Sequence, residues 1–275
     1  MDQYKTVSYQ ISRRLTEAYS TSFSMSSRLF ARSIRPDVYA IYGLVRMADE
    51  VVDTYDGSDD EKRSLLDMLE QETYLAIARR YSANPIVHAF ALTAASYDID
   101  QDLVEPFFDS MRMDIGGLYH PDNYQSYIYG SAEVVGLMCL KVFCRGDGAL
   151  YEQLAPGARK LGSAYQKVNF LRDFAFDYSR LGRVYFPGVE YASFSDDQKD
   201  AIEREIADEF TVAGEYIAEL PPTARRAVRA SWIYYHELLE KIRNRTAKDI
   251  TKTRVRVGTV RKLWFFAKVY LGIAK

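Results

Sequence analysis

The chain has 275 residues, of which 48% are hydrophobic and 27% charged, and its formal net charge is −2. This is enough to bury a large core as one domain over 1–275, and a division into two domains is the less favoured alternative. The near-neutral charge gives no bias toward a nucleic-acid partner. Cys139 and Cys144 lie in an apolar run, which favours reduced core thiols over a disulfide or a metal site.

Targeting signals are not evident. Residues 1–14 are polar and lack the apolar segment of a signal peptide. No stretch reaches the ~18 to 20 apolar residues that a membrane span needs. We therefore expect a cytoplasmic protein.

Most of the chain is predicted to be helical. In chain order, helical periodicity is good over 35–54, 60–81, 85–97, 101–115, 122–144, 149–178, 195–219 and 222–246. Most of the 8 prolines lie where a helix would begin or a loop would turn. No alternating strand pattern of useful length is present. The pattern predicts an all-α single-domain bundle around a central cavity.

The helix predicted over 35–54 carries two aspartates on one face. Asp49 and Asp53 are four residues apart, so both carboxylates point the same way, and Arg46 and Tyr42 continue this stripe. A separate apolar stripe would bury the helix and comprises Ile41, Leu44, Val45, Ala48 and Val52.

The helix predicted over 149–178 repeats this arrangement. Gln166, Asn169, Asp173 and Asp177 share one stripe, and Arg172 stands beside the acidic pair. The opposite face is apolar and comprises Ala164, Val168, Leu171 and Ala175.

Spacing alone does not make these pairs a site. The chain holds three further Asp-x-x-x-Asp pairs, namely Asp56/Asp60, Asp98/Asp102 and Asp196/Asp200. The two pairs described above differ in having arginine and other polar side chains on or beside the same stripe. Mg²⁺ prefers oxygen ligands and binds one or two carboxylates together with water and phosphate oxygens. Two such stripes predict a pocket for Mg²⁺ and diphosphate, and solvated faces of surface helices are the alternative. Loops expected at 55–60 and 180–191 could close over the bound anion.

Several separated motifs resemble the squalene/phytoene synthase family in order and spacing. They are STSF at 20–23, YGLVRMADEVVD at 42–53, YIYGSAEVVGLM at 127–138, QKVNFLRDFAFD at 166–177 and GRVYFP at 182–187. The resemblance covers roughly 15–262 and is greatest to bacterial phytoene synthases. It implies an all-α isoprenoid synthase fold and head-to-head condensation of two allylic isoprenoid diphosphates through a cyclopropyl intermediate. The expected reaction joins two geranylgeranyl diphosphates to phytoene without NADPH, and a dehydrosqualene or squalene synthase acting on farnesyl diphosphate is the alternative.

The resemblance also implies roles for the residues of both stripes. The four aspartates would hold Mg²⁺, for which Mn²⁺ is an alternative. Arg46 and Arg172 would clamp diphosphate, because a guanidinium matches phosphate oxygens. Gln166 and Asn169 match polar residues beside the second acidic pair.

Other positions match the family's substrate contacts. Ser20, Ser22 and Phe23 match an N-terminal segment that contacts diphosphate, and an ordinary helix cap is the alternative. Tyr42 and Tyr127 match tyrosines whose hydroxyls line the cavity.

A tyrosine and an arginine of the family close over diphosphate from the C-terminal side. Tyr235 and Arg254 match them, although the spacing between the two is two residues longer than expected.

Glu133 departs from the family, many of whose members have a small residue at this position. Because a charge facing an apolar tunnel is unfavourable, we expect Glu133 to face an arginine or solvent. Phe170, Phe174 and Phe176 flank the second stripe, where core packing is favoured and shielding of a cation is the alternative.

The C-terminal stretch 241–268 is strongly basic, with ten Lys or Arg residues against a single acid, Asp249. Solvated surface is the usual meaning of such a run. A basic, aromatic tail is also typical of peripheral docking on an anionic membrane, here at its inner face.

Two other classes of function remain. A trans-prenyl elongase or a terpene cyclase would share the fold and the Mg²⁺ chemistry, but elongases normally carry Asp-Asp-x-x-Asp motifs, and both pairs here lack the adjacent second aspartate. A non-catalytic helical scaffold is the third alternative.

Overall fold

The computed structural model describes residues 2–116, 121–255 and Gly258, and these residues contain helices and no strand. The α-helices among them are α1 (Gln3–Tyr19), α2 (Thr21–Ser27), α3 (Arg35–Asp53), α4 (Asp59–Arg79), α5 (Pro85–Tyr97), α6 (Gln101–Met113), α7 (Tyr124–Ile128), α8 (Val134–Cys144), α9 (Gly148–Leu181), α10 (Asp196–Ile217), α11 (Pro222–Arg243) and α12 (Ala247–Ile250). Short 3-10 turns occur at Pro121–Asn123 and Tyr191–Ser193. The all-α prediction is confirmed, whereas the extent of a single domain stays a prediction.

Helices α1 and α2 precede the first predicted segment. The buried face of α1 consists of Ser8, Ser12 and Thr16, so it lacks the apolar period from which helices are predicted. Each of these hydroxyls donates to the carbonyl four residues earlier, at 2.9, 3.3 and 2.9 Å respectively. A small polar face can therefore be buried against α3 without losing hydrogen bonds.

The segment predicted as one helix over 122–144 is interrupted by a π-helical turn at Tyr129–Glu133. Gly130 lies so close to α6 that an added Cβ would stand 2.1 Å from the Pro106 carbonyl oxygen. On the other side of this turn, a Cβ at Gly162 of α9 would lie 2.8 Å from the Ala132 carbonyl oxygen. Both contacts require glycine and bring α6, the π turn and α9 together beneath the acidic stripes.

Two groups of buried side chains form the core. One lies among α3, α5, α6 and α8, and the other among α9, α10, α11 and the segment after α9. Cys139 and Cys144 are free thiols within this packing, and burial raises the pKa of Cys144 to about 11. Neither thiol is paired with another cysteine, and their reduced state stays a prediction.

One helical stretch corrects the sequence analysis. By length and composition, Tyr124–Cys144 could span a membrane, and it is the one such stretch within the described ranges. Of its most apolar window, 61% is buried inside the protein, as in the core helix of a bundle.

Candidate active site

The C-terminal half of α3 presents the first acidic stripe at one end of the bundle. Its apolar face is buried as predicted, with Ile41, Leu44 and Ala48 almost inaccessible. The Arg46 guanidinium lies 4.3 Å from the centre of the Tyr19 ring and 3.7 Å from an Asp49 oxygen, and it also contacts Glu50.

In the second stripe, on α9, two arginines bind the carboxylate of Asp173. Arg172 donates to both carboxylate oxygens of Asp173 at 3.0 and 2.6 Å. Arg254 contacts the same carboxylate at 2.6 and 3.2 Å. The chain after α12 returns to α9, where the Val255 amide donates to the Arg172 carbonyl at 3.2 Å. The longer spacing before Arg254 is thus compatible with its reaching the acidic pair.

The other three aspartates of the stripes, Asp49, Asp53 and Asp177, have raised pKa values. Burial and the charge of Asp53 raise the pKa of Asp49 to about 7. Burial and the charge of Asp173 raise the pKa of Asp177 to about 7. Burial also raises the pKa of Asp53. A cation placed among them would relieve this repulsion.

Asp114 is a central carboxylate that the sequence analysis missed. Tyr127 donates to its Oδ2 at 2.8 Å and Arg183 donates to its Oδ1 at 2.7 Å. Burial raises the pKa of Asp114 to about 6 despite the nearby Arg183. The charge of Asp114 raises the pKa of both Asp49 and Asp177, so it lies between the two stripes. Asp114 directly follows α6, and no second aspartate stands four residues from it in the sequence. The one indirect sign of it in the sequence was the GRVYFP motif, which contains its partner Arg183.

Tyr127 therefore occupies a different place from the one predicted. Its ring packs beside the stacked Tyr185 and Phe170 rings, with centroids 5.4 and 6.0 Å away. It is absent from the cavity wall, to which Tyr42 does contribute. Tyr127 is buried behind the mouth because its hydroxyl is used to hold Asp114.

The polar residues predicted beside the second acidic pair lie together in the cavity wall. Tyr235 donates to Asn169 Oδ1 at 3.4 Å, and the Asn169 amide contacts Gln166 at 3.5 Å. The Tyr235 ring stacks on Tyr165 at 3.9 Å. These groups line the polar end of the cavity.

The N-terminal motif combines a cap with a cavity contact. The Ser20 hydroxyl accepts a hydrogen bond from the Phe23 amide at 3.2 Å and caps α2. Phe23 stacks on Tyr42 at 4.8 Å and lines the cavity, whereas Ser20 and Ser22 do not. The helix-cap alternative thus describes Ser20 in this structure.

The departures noted in the sequence have structural explanations. Arg159 Nε donates to Glu133 at 2.6 Å, which confirms the expected pairing with an arginine.

Phe170 and Phe174 are buried in the core as predicted. Phe176 is 43% exposed and lies 5.8 Å from the Arg254 guanidinium, so core packing was wrong for this residue. Its place on α9 turns it toward solvent at the mouth.

A largely apolar cavity of about 340 Å³ extends inward from the two stripes. Its wall comes from the α2–α3 region, the π turn with α8, and helices α9, α10 and α11. Gln166, Asn169 and Tyr235 lie at one end, and Leu154 and Leu220 line it farther along the bundle. The arrangement separates a charged mouth from an apolar chamber.

The donor atoms at the mouth suit a hard divalent cation. Within the described ranges, no three His, Cys, Asp or Glu side chains are close enough to form a ready-made metal site. Mg²⁺ needs no such cage, because it binds one or two carboxylates and completes its shell with water and phosphate oxygens. The carboxylate oxygens and the raised pKa values of Asp49 and Asp177 fit Mg²⁺ that binds together with diphosphate. Of the predicted membrane-docking run 241–268, residues 256–257 and 259–268 lie outside the described residues, and the docking stays a prediction.

Comparison with known proteins agrees with this arrangement. The family model for squalene/phytoene synthase matches residues 16–261. The phytoene synthase of Arthrospira platensis is 28% identical over 286 residues, which cover 93% of this chain and 90% of that protein. A dehydrosqualene synthase solved in complex with ligand matches with a TM-score of 0.82 at 20% identity over 98% of both chains. A squalene synthase from Alicyclobacillus acidocaldarius matches with a TM-score of 0.76 at 21% identity, over 88% of this chain and 95% of that chain. These two likenesses show the all-α isoprenoid synthase fold, and together with the family match they establish that the chain belongs to the squalene/phytoene synthase family of prenyltransferases, whose substrates are isoprenyl diphosphates.

Proposed function

We propose that this enzyme joins two geranylgeranyl diphosphates head to head, forming phytoene through a cyclopropyl diphosphate and releasing diphosphate, as a step of carotenoid biosynthesis. The observation that carries the choice of substrate is the length of the apolar cavity. Leu154 and Asn169 both line it and stand about 22 Å apart along α9, at about 1.5 Å of rise per residue.

This length favours the C20 substrate over the C15 substrate. An extended carbon chain advances about 1.2 Å per bond, so a geranylgeranyl group spans about 18 Å and a farnesyl group about 13 Å. A C20 chain would occupy most of the length between Asn169 and Leu154, whereas a C15 chain would leave more of the inner end empty and forfeit apolar burial. The similarity to phytoene synthases supports the same choice.

The charged mouth would hold the diphosphate. Arg46, Arg172 and Arg254 each lie against a carboxylate of the stripes, and their guanidinium forks suit phosphate oxygens. Asp49, Asp53, Asp173 and Asp177 would hold Mg²⁺. When bound, Mg²⁺ supplies Lewis-acid stabilisation of the leaving diphosphate. Release of that anion leaves an allylic cation in a chamber whose apolar wall excludes water.

The cation would then be attacked by the double bond of the second substrate, and loss of a proton from the former cationic carbon would close the cyclopropane ring. Departure of the second diphosphate would give the cation that rearranges to the product skeleton. The Tyr165 and Tyr235 rings, stacked in the chamber wall, offer π faces that stabilise positive charge. Phytoene retains its central double bond because the last cation loses a proton and receives no hydride, so NADPH is not required. Released diphosphate or the hydroxyl of Tyr42 or Tyr235 in the wall would accept this proton.

Product analysis tests the proposal. The purified protein is incubated with farnesyl or geranylgeranyl diphosphate alone, with Mg²⁺, with and without NADPH, and hydrocarbons are identified by mass spectrometry. We expect a C40 hydrocarbon from the C20 substrate, independent of NADPH. A C30 product made only from farnesyl diphosphate would refute the chain length and leave the head-to-head reaction standing. A cyclised or elongated product would refute the reaction itself.

A further inference from the structure

The inner part of the cavity contains an unusually close contact between α9 and α10. Gly157 and Tyr216 both line the cavity here. A Cβ added at Gly157 would lie 2.3 Å from both Cβ and Cγ of Tyr216. These atoms are at the root of the tyrosine side chain and cannot swing away easily. The absence of a side chain at Gly157 therefore lets the base of Tyr216 press directly on α9.

Tyr216 is less buried than its cavity neighbours. Ile217 and Leu220 on the same wall are buried, and Phe30 and Phe143 pack on each other at 5.3 Å. Tyr216 packs against the same core cluster as these phenylalanines but is only partly buried. It contributes to the wall of the cavity.

The position of this contact fits the end of a long substrate. Gly157 lies about 18 Å from Asn169 along α9, at about 1.5 Å per residue, which equals the extended length of a geranylgeranyl group of about 18 Å. One further isoprene unit would add about 5 Å and would have to pass Tyr216 to enter the part of the cavity that Leu154 lines.

We propose that Tyr216, seated on Gly157, is the stop that sets the longest isoprenyl chain the cavity accepts. The inference deepens the proposed function and rests on it. Removing the ring widens the cavity at this point, so a longer chain can pass Gly157 toward Leu154.

The test compares variants of the full chain with C15, C20 and C25 all-trans isoprenyl diphosphates, each supplied alone with Mg²⁺. Tyr216→Ala is expected to raise the ratio of C25-derived to C20-derived hydrocarbon by about tenfold or more, the scale on which apolar pockets discriminate chain length. Tyr216→Trp is expected to lower use of the C20 substrate relative to C15 by a similar factor. Tyr216→Phe keeps the ring and is expected to keep the wild-type ratio.

Val212→Ala, at an exposed position on the same helix, is the control and should leave the ratio unchanged. A wild-type ratio in Tyr216→Ala would overturn the inference, as would a change in Tyr216→Phe equal to that in Tyr216→Ala. If Tyr216→Ala does not fold, as judged by circular dichroism, the use of C20 relative to C15 substrate by Tyr216→Trp tests the proposal instead. An unchanged ratio in that variant would overturn it. A wild-type protein that joins only C15 chains would refute the proposed substrate, and the stop would then appear as a gain of C20 use in Tyr216→Ala. Without condensation of any substrate, both proposals fail.

Discussion

Substituting Asp49 by asparagine should stabilise the metal-free protein while removing activity. Burial, with the charge of Asp53, raises the pKa of Asp49 to about 7, whereas an aspartate in an unfolded chain has a pKa of about 3.9. Below about pH 4 both states are protonated and the shift has no effect. As the pH rises from about 4 to 7, the unfolded state ionises first, so the folded state loses stability and remains less stable above pH 7.

The size of the effect follows from this shift. About three pKa units correspond to about 4 kcal/mol, but the Asp49 side chain is 31% exposed, and solvent screening reduces the figure to about 1–2 kcal/mol. Asparagine removes the charge at nearly constant volume, and Arg46 keeps its contact with Glu50. No cation is left isolated by the change.

Urea unfolding in excess EDTA measures the prediction. At pH 8, Asp49→Asn should exceed the wild type in free energy of unfolding by about 1–2 kcal/mol, and the difference should shrink as the pH falls and nearly vanish near about pH 3, below the unfolded pKa. Added Mg²⁺ should stabilise the wild type more than the variant at pH 8. Asp102→Asn, at an exposed position in the first turn of α6, is the control and should show neither effect. A variant no more stable than the wild type at pH 8 would show that the carboxylate is not strained in the metal-free site.

Four further predictions concern the mouth and the packing beneath it. Excess EDTA should abolish turnover, and full turnover under these conditions would contradict a metal requirement. Asp173→Asn should lower kcat about a hundredfold or more, the scale of a major electrostatic contact, and should lower the melting temperature, because Arg172 and Arg254 lose their partner carboxylate; near-normal kcat would make Asp173 structural. Arg254→Ala should lower the Mg²⁺ concentration for half-maximal activity, because Asp173 loses a competing cation, and should raise KM for the diphosphate substrate; changes in the opposite directions would refute the contact. Gly130→Ala should cost about 1–3 kcal/mol of unfolding free energy through overpacking, while Gly148→Ala, whose added Cβ has no atom within 4 Å, should not; equal stability of the two would contradict the close approach.

The acidic stripes were predictable because helical spacing and a buried apolar face are local properties of the sequence. Asp49 and Asp53 sit on α3 opposite the residues that bury it, and Asp173 and Asp177 do so on α9. Helix α1 was not predicted because serine and threonine form its buried face. The π turn was missed because it arises from packing of Gly130 against Pro106, a contact between separate helices.

Asp114 escaped prediction for a related reason. Its partners Tyr127 and Arg183 are 13 and 69 residues away in the chain, so no periodic pattern joins them. Tyr127 was expected at the cavity wall, but its hydroxyl bonds to this carboxylate instead. A residue defined by long-range contacts becomes visible only when the helices that carry it are assembled.

The two stripes are not equivalent in the metal-free protein, and this asymmetry suggests how the site works. The charge of Asp173 is already opposed by Arg172 and Arg254. Asp49 and Asp177 instead have pKa values of about 7, each raised in part by the charge of Asp114 between them. Cation binding at these strained carboxylates yields the greater relief of repulsion, whereas binding at Asp173 must compete with two guanidiniums. Under the proposed function, a diphosphate would compete with Asp173 for those guanidiniums and leave its oxygens available to the metal. The charges at the mouth would then balance only when metal and substrate are bound together, so loss of diphosphate would be confined to the complex that holds both.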